Sequence, residues 1–211
     1  AKEIFNIPAW LNKMVENNWL GDKTAQGFFK KIKGADGSKD IQTLNLSTMN
    51  YEPRAKPKFA TVEAAKPIED LKTRLKALCA GTDKAGDFYR QFHYSLFSYI
   101  SNRIPEISNE LYRVDDAMMA GFGWEIGAFE SWDILGVAKT TEAMKAAGYT
   151  VAVWIEEMLA SGAKSFYTIE NGKRLYYDVS TKSYKLMPGG DAFIVMKNFD
   201  GETVWKNSAC R

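Results

Sequence analysis

The stretch from Ala117 to Val137 constrains this chain more than any other. Gly121, Gly123, Gly127 and Gly136 break a run of large apolar residues there. Glycine inside a helix costs about 0.5–1 kcal/mol relative to alanine, so a single helix does not run through such a segment. The pattern predicts a helix that stops, a close backbone turn, and a short helix that starts again. Trp124, Phe129 and Trp132, spaced around the bend, read as core aromatics, although an aromatic wall of this kind also suits an apolar ligand. Asp133 reads as a residue that caps or anchors the bend.

Periodicity extends this to a mainly α chain. Pro8 suits a first helical turn; Leu11, Met14, Val15 and Trp19 follow helical spacing, and Gly21 stops the helix. Further helices are predicted over 61–80 (with Pro67 a point where it restarts), 84–104, 106–120 after Pro105, 140–147 and 151–161. Short strands are predicted over 28–33, 41–46 and 49–52. A second set covers 166–170 and 174–178 around Asn171-Gly172, a strong hairpin signal, with a further strand pair at 192–197 and 203–206. The fold class is therefore mainly α with small β-hairpins, α+β in minor part.

A repeat links the two β regions. Residues 46–51 (Leu-Ser-Thr-Met-Asn-Tyr) match residues 179–184 (Val-Ser-Thr-Lys-Ser-Tyr) at an offset of 133. Phe28-Phe29 likewise matches Phe166-Tyr167, with a loop five residues shorter in the second copy. Each copy follows a helix and a glycine, Gly21 or Gly162. Duplication predicts that the two hairpins superpose with Tyr51 equivalent to Tyr184.

Composition excludes several functions. Hydrophobic residues make up 45% of the chain, enough for a real core. The net charge of +2 comes from lysines interleaved with acids, so no basic stripe marks a nucleic-acid footprint. No apolar run reaches the ~18 residues of a membrane span. Cys79 and Cys210 lie far apart without metal-ligand spacing, which suits a reducing cytoplasm and predicts no metal site. His93, between Phe92 and Tyr94, lacks the orienting carboxylate a general base needs and reads as structural. Gly121-Phe122-Gly123 follows a helix rather than a strand and lacks a third glycine, so it is not a nucleotide cradle. No catalytic or cofactor-binding residue is expected.

Three motifs carry a family resemblance. Ile100-Ser101-Asn102-Arg103-Ile104 precedes the glycine-rich segment by about twenty residues. Leu20-Gly21-Asp22-Lys23-Thr24-Ala25-Gln26-Gly27-Phe28-Phe29 lies upstream of both, with Ala25 and Phe29 departing from the usual Gly and Tyr, and Ala128 stands where Pro is usual. Together they resemble the C-terminal helical repeats of bacterial 3-hydroxyacyl-CoA dehydrogenases, over residues 5–31 and 87–165. The closing signature of one module precedes the opening of another, as in tandem repeats of multifunctional β-oxidation enzymes. The resemblance implies that residues 1–56 end a first helical module with its hairpin. Residues 57–165 would then form a second, complete module, and 166–211 a hairpin and a tail leading to a crotonase (enoyl-CoA hydratase) domain. It implies a central fragment of a cytoplasmic enzyme that oxidises 3-hydroxyacyl-CoA with NAD. A dinucleotide-binding domain would lie upstream, acyl-CoA would be the parent's substrate, and homodimer formation would be among the segment's roles. Asn102 matches a position that reaches the substrate thioester in the family's catalytic repeat. In a second repeat it is expected to hydrogen-bond helix ends, with Arg103 pairing with Glu106 or Glu110. The alternative is a free-standing helical protein-interaction module with no enzymatic parent.

Overall fold

The computed structural model describes residues 6–33, 37, 39–189 and 192. The strand pair expected over 192–197 and 203–206, the tail beyond it, and Cys210 lie outside the described residues. The chain divides into two compact units, Ala1–Lys58 and Phe59–Arg211.

In the first unit, α1 (Ala9–Glu16) starts after Pro8 and buries Met14. A 3-10 turn at Asp22–Thr24 leads into a three-stranded antiparallel sheet, β1 (Phe29–Lys33), β2 (Lys39–Leu44) and β3 (Tyr51–Pro53), in that order. The strand predicted to reach residue 46 stops at Leu44. Asn45 turns the chain instead: its side-chain oxygen accepts the N–H groups of Ser47 and Thr48 at 2.9 and 3.2 Å, an Asx arrangement that competes with the ladder.

The described residues of the second unit hold seven helices and a second sheet. The helix expected over 61–80 is two, α2 (Ala60–Ala65) and α3 (Leu71–Ala80), because Pro67 has no N–H to continue the ladder. α4 (Lys84–Ser101) follows, then α5 (Leu111–Phe122), α6 (Ala128–Leu135), α7 (Val137–Ala146) and α8 (Val153–Ala160). The helix predicted from 106 begins only at Leu111; residues 102–107 form turns around Pro105, whose preceding peptide bond is cis. β4 (Tyr167–Glu170), β5 (Lys173–Asp178) and β6 (Ser183–Leu186) make the second antiparallel sheet. The described residues thus hold eight α-helices and two small sheets, mainly α as expected; the first sheet has the three strands expected, and the second hairpin is extended by a third strand, β6.

One carboxylate sets the entry of two helices. Asp83 accepts Ala85 and Gly86 N–H at 3.1 Å each, capping α4, and Thr61 N–H at 3.0 Å at the start of α2. These bonds, that from Thr61 first, hold its acid at about 2. The core lies where α4, α6 and α8 meet the second sheet. Phe97 and Trp132 stack there at 4.7 Å with rings 4° apart, and Phe129 and Phe166 meet edge-on at 5.0 Å, all fully buried. Among the described residues, no helix is long and apolar enough to cross a membrane.

Candidate functional site

Asn102 is the C-cap of α4. Its amide donates to the Ser98 carbonyl at 2.8 Å and toward that of Thr150 at 3.4 Å, so it closes the helix end and ties it to the segment before α8. The neighbouring Ser98 hydroxyl donates to the same Thr150 carbonyl at 2.7 Å. Arg103 pairs with Glu106 at 2.6 Å, one of the two expected partners. Glu110 instead pairs with Arg113.

Beside this helix end, α4 and α5 border an apolar groove of about 670 Å³. Phe92, Leu96, Tyr99, Met118, Phe122 and Trp124 line it, with Arg103 and Arg113 at its edge. Asn102 is not among the lining residues. The three aromatics of the glycine segment part ways here: Phe129 and Trp132 are fully buried core, whereas Trp124 is a groove wall.

Two glycines set how α5 ends and α6 begins. Gly123 takes φ +67°, the left-handed C-cap that L-residues adopt at a cost. Gly127 is needed for a different reason. A Cβ there would stand 2.2 Å from Cγ of Asp115. That approach lets the Asp115 carboxylate accept Phe129 N–H at 2.8 Å and Glu130 N–H at 3.0 Å, capping α6 from a neighbouring helix. Tyr167 donates its hydroxyl to the same carboxylate at 2.9 Å.

Asp133 does not cap the bend, contrary to the sequence expectation. From the far end of α6 it reaches the second sheet, accepting Phe166 and Tyr167 N–H at 2.7 and 2.9 Å. Burial pushes Asp115 up to about 6 and Asp133 up to about 7, against the hydrogen bonds that favour their ionised forms. Beside them a cleft of about 450 Å³ is lined in part by Lys72, Glu130 and Arg174. Glu130 joins Lys72 at 3.1 Å and Arg174 at 3.2 Å. Burial would raise its acid, but the two cations outweigh burial and hold it below its ordinary value. Raised carboxylates beside a cleft can mark acid–base chemistry. Here every oxygen of Asp115 and Asp133 already accepts a protein donor, so the pair pins α5, α6 and the sheet together. Sequence reading missed Asp115 altogether; its partners lie 14 to 52 residues away.

His93 is buried and its Nδ1 lies 2.7 Å from the Tyr89 carbonyl. Burial lowers its basicity. The Cys79 thiol sits 3.8 Å from the same nitrogen and is pushed up to about 11 by burial, so this pair offers no thiolate at neutral pH. Gly121 lies within α5 and Gly123 at its C-terminal end. Carbonyls, not N–H groups, project from that end, the wrong polarity for a nucleotide diphosphate. Among the described residues, no group of three or more His, Cys, Asp or Glu side chains could hold a metal ion.

The site is thus a helix-end anchor and an apolar groove in a helical module closed by a small sheet. Comparison with known proteins gives the module its relatives. A Bacillus subtilis (strain 168) protein named "Probable 3-hydroxyacyl-CoA dehydrogenase" is 38% identical over 177 residues, 84% of this chain and 22% of its own length. Two proteins carrying the name fatty acid oxidation complex trifunctional enzyme also match. That of Rickettsia prowazekii (strain Madrid E) is 25% identical over 56% of this chain and 15% of its own. That of Rickettsia felis (strain ATCC VR-1525 / URRWXCal2) is 22% identical over 59% and 16%. No family model matches the chain, and no solved structure matches it. The resemblance carried by the motifs is therefore shown: the chain is homologous to a segment of 3-hydroxyacyl-CoA dehydrogenases and fatty-acid oxidation enzymes, and spans about a fifth of the length of the curated relatives it matches.

Proposed function

We propose that this chain is the central helical part of an NAD-dependent, cytoplasmic 3-hydroxyacyl-CoA dehydrogenase of fatty-acid β-oxidation, and that it supports the chemistry without performing it. The observation that carries the reading is the 38% identity over 84% of the chain, with motifs in the order of tandem repeats. In this reading residues 1–56 end a first helical module, 57–165 form a second of the dehydrogenase C-terminal type, and 166–211 lead toward a crotonase domain. The helices wall the acyl-CoA cleft, face the upstream dinucleotide-binding domain, and contribute to homodimer packing.

The residues present do not form an NAD site of their own, since the glycine pair ends a helix instead of opening one after a strand. NAD bound elsewhere in the parent would supply the hydride acceptor; no residue of this chain is assigned to that chemistry. Asn102 holds the end of α4 against the Thr150 segment. The test is NADH-linked reduction of acetoacetyl-CoA by the purified 211-residue protein beside the complete parent. Turnover by the parent alone is expected. Turnover by the 211-residue chain would overturn the scaffold reading, and an inactive parent would overturn the enzymatic one.

A further inference from the structure

The two sheets repeat each other in register. Thr43 pairs with Phe29 and Tyr176 with Tyr167; Leu44 pairs with Tyr51 and Tyr177 with Tyr184. Tyr51 donates its hydroxyl to the carbonyl before the aromatic pair, that of Gly27, at 2.6 Å, and Tyr184 does the same to Ser165 at 2.6 Å. Met49 and Lys182, at equivalent turn positions, both take positive φ, +59° and +51°. The preceding helices repeat as well. Trp10 meets Phe28 edge-on at 5.8 Å and 63°, and Trp154 meets Phe166 at 5.9 Å and 63°. Met14 and Met158 are buried beneath them.

What differs is the cover. Phe166 is 0% exposed, but Phe28 is 46% exposed. Tyr167 is half-buried, whereas Phe29 is 53% exposed; Leu159 is half-buried, whereas Val15 is 59% exposed. In the second unit the cover is α6. Phe129 and Trp132 close on Phe166 at 5.0 and 5.3 Å, and Asp133 takes the two N–H groups of Phe166 and Tyr167. Among the described residues, no side chain accepts from the N–H of Phe28 or Phe29.

We propose that the bare face of the first unit, centred on Phe28, Phe29 and Val15, seats on a helical module built like residues 84–166, through a helix that presents two aromatic rings and an aspartate. The aspartate takes the Phe28 and Phe29 N–H groups as Asp133 takes those of Phe166 and Tyr167. The partner is named by complementarity: the chain contains the same half-interface twice and its other half once. This rests on the reading that the chain is part of a longer enzyme, which would supply the second such module. Burying Phe28 as fully as Phe166 would also remove an apolar patch that otherwise faces water.

Amide hydrogen exchange tests this in the complete parent protein and in the 211-residue chain. Phe166 and Tyr167 should be protected in both and serve as internal controls. Phe28 and Phe29 should exchange fast in the chain and at least ~100-fold more slowly in the parent, and Phe28→Ser should return Phe29 to fast exchange there. A longer reading frame without a second helix of the Phe129–Asp133 kind would overturn both this inference and the parent reading. A parent that contains that helix yet leaves Phe28 and Phe29 as exchangeable as in the isolated chain would overturn the docking alone.

Discussion

Gly127→Ala is the substitution whose outcome the structure fixes most sharply. The new methyl would stand 2.2 Å from Cγ, 2.3 Å from Cβ and 2.6 Å from Oδ2 of Asp115. All three distances are below any tolerable contact, and Asp115 is 3% exposed with no open space to enter. Its side chain must leave the α6 N-terminus, abandoning Phe129 N–H, Glu130 N–H and the Tyr167 hydroxyl. A buried donor left without its acceptor costs about 1–3 kcal/mol, so losing these three bonds, partly repaid by water, totals roughly 3–5 kcal/mol. For a chain of this size that lowers the melting temperature by about 10 °C, taking roughly 2–4 °C per kcal/mol. Gly121→Ala is the matched control. Its added Cβ meets nothing within 4 Å, and the site lies inside α5, so it should gain about 0.5–1 kcal/mol. Urea unfolding followed by circular dichroism measures both. Asp115→Ala keeps the Cβ that the new methyl meets at 2.3 Å, so Gly127→Ala should still destabilise in that background, but by less than in the native sequence, because the three hydrogen bonds are already gone. A Gly127→Ala protein within 1 kcal/mol of the parent sequence would refute the reasoning.

Three further outcomes follow from buried polar groups. The folded protein holds protons on Asp115 and Asp133 up to about 6 and 7, whereas the unfolded chain releases them near 3.8. Their contribution to stability is therefore complete below about pH 4 and declines as pH rises toward 7. His93, lowered by burial, acts in the opposite sense near its ordinary value of 6.5, so the test is a difference. The gap in unfolding free energy between the native sequence and Asp133→Asn should narrow from pH 5 to pH 8; a constant gap would count against the assignment. Thr141→Val should stabilise by about 1 kcal/mol in the same unfolding assay, since its fully buried hydroxyl has no partner. Tyr184→Phe and Tyr51→Phe should each cost about 1 kcal/mol, because each removes one hydroxyl bond to a backbone carbonyl; a large cost for one and none for the other would contradict their equivalence.

Local signals were legible in the sequence. The stop at Gly123, the restart as α6 and the duplicated sheets all rest on residues close in sequence. The matched hexamers even carried the register, because a β-pairing with period two leaves little freedom once one face is buried. What escaped was set across distance. Asp133 looked like a local cap and proved to be a tether to β4, whose first residue lies 34 positions away. Asp115 was not singled out, because the helix start it caps lies 14 residues further along the chain. Trp124 could not be told from Phe129 and Trp132 by spacing, and only the packing of α4 against α6 sorts wall from core. The start of α5 moved to Leu111 because residues 102–107 form turns around Pro105 instead of a first helical turn.

The central claim, that this repeat holds the enzyme together without touching the reacting atoms, turns on Asn102. Its amide is committed to the carbonyls of Ser98 and Thr150. The decisive measurement is kcat/KM for acetoacetyl-CoA reduction by the complete enzyme carrying Asn102→Ala, corrected for folded fraction. The account predicts a change of less than about threefold, together with a stability loss of about 1 kcal/mol. A fall of about 100-fold in kcat with stability intact, the size expected for a lost oxyanion donor, would place Asn102 in the active site and contradict the account.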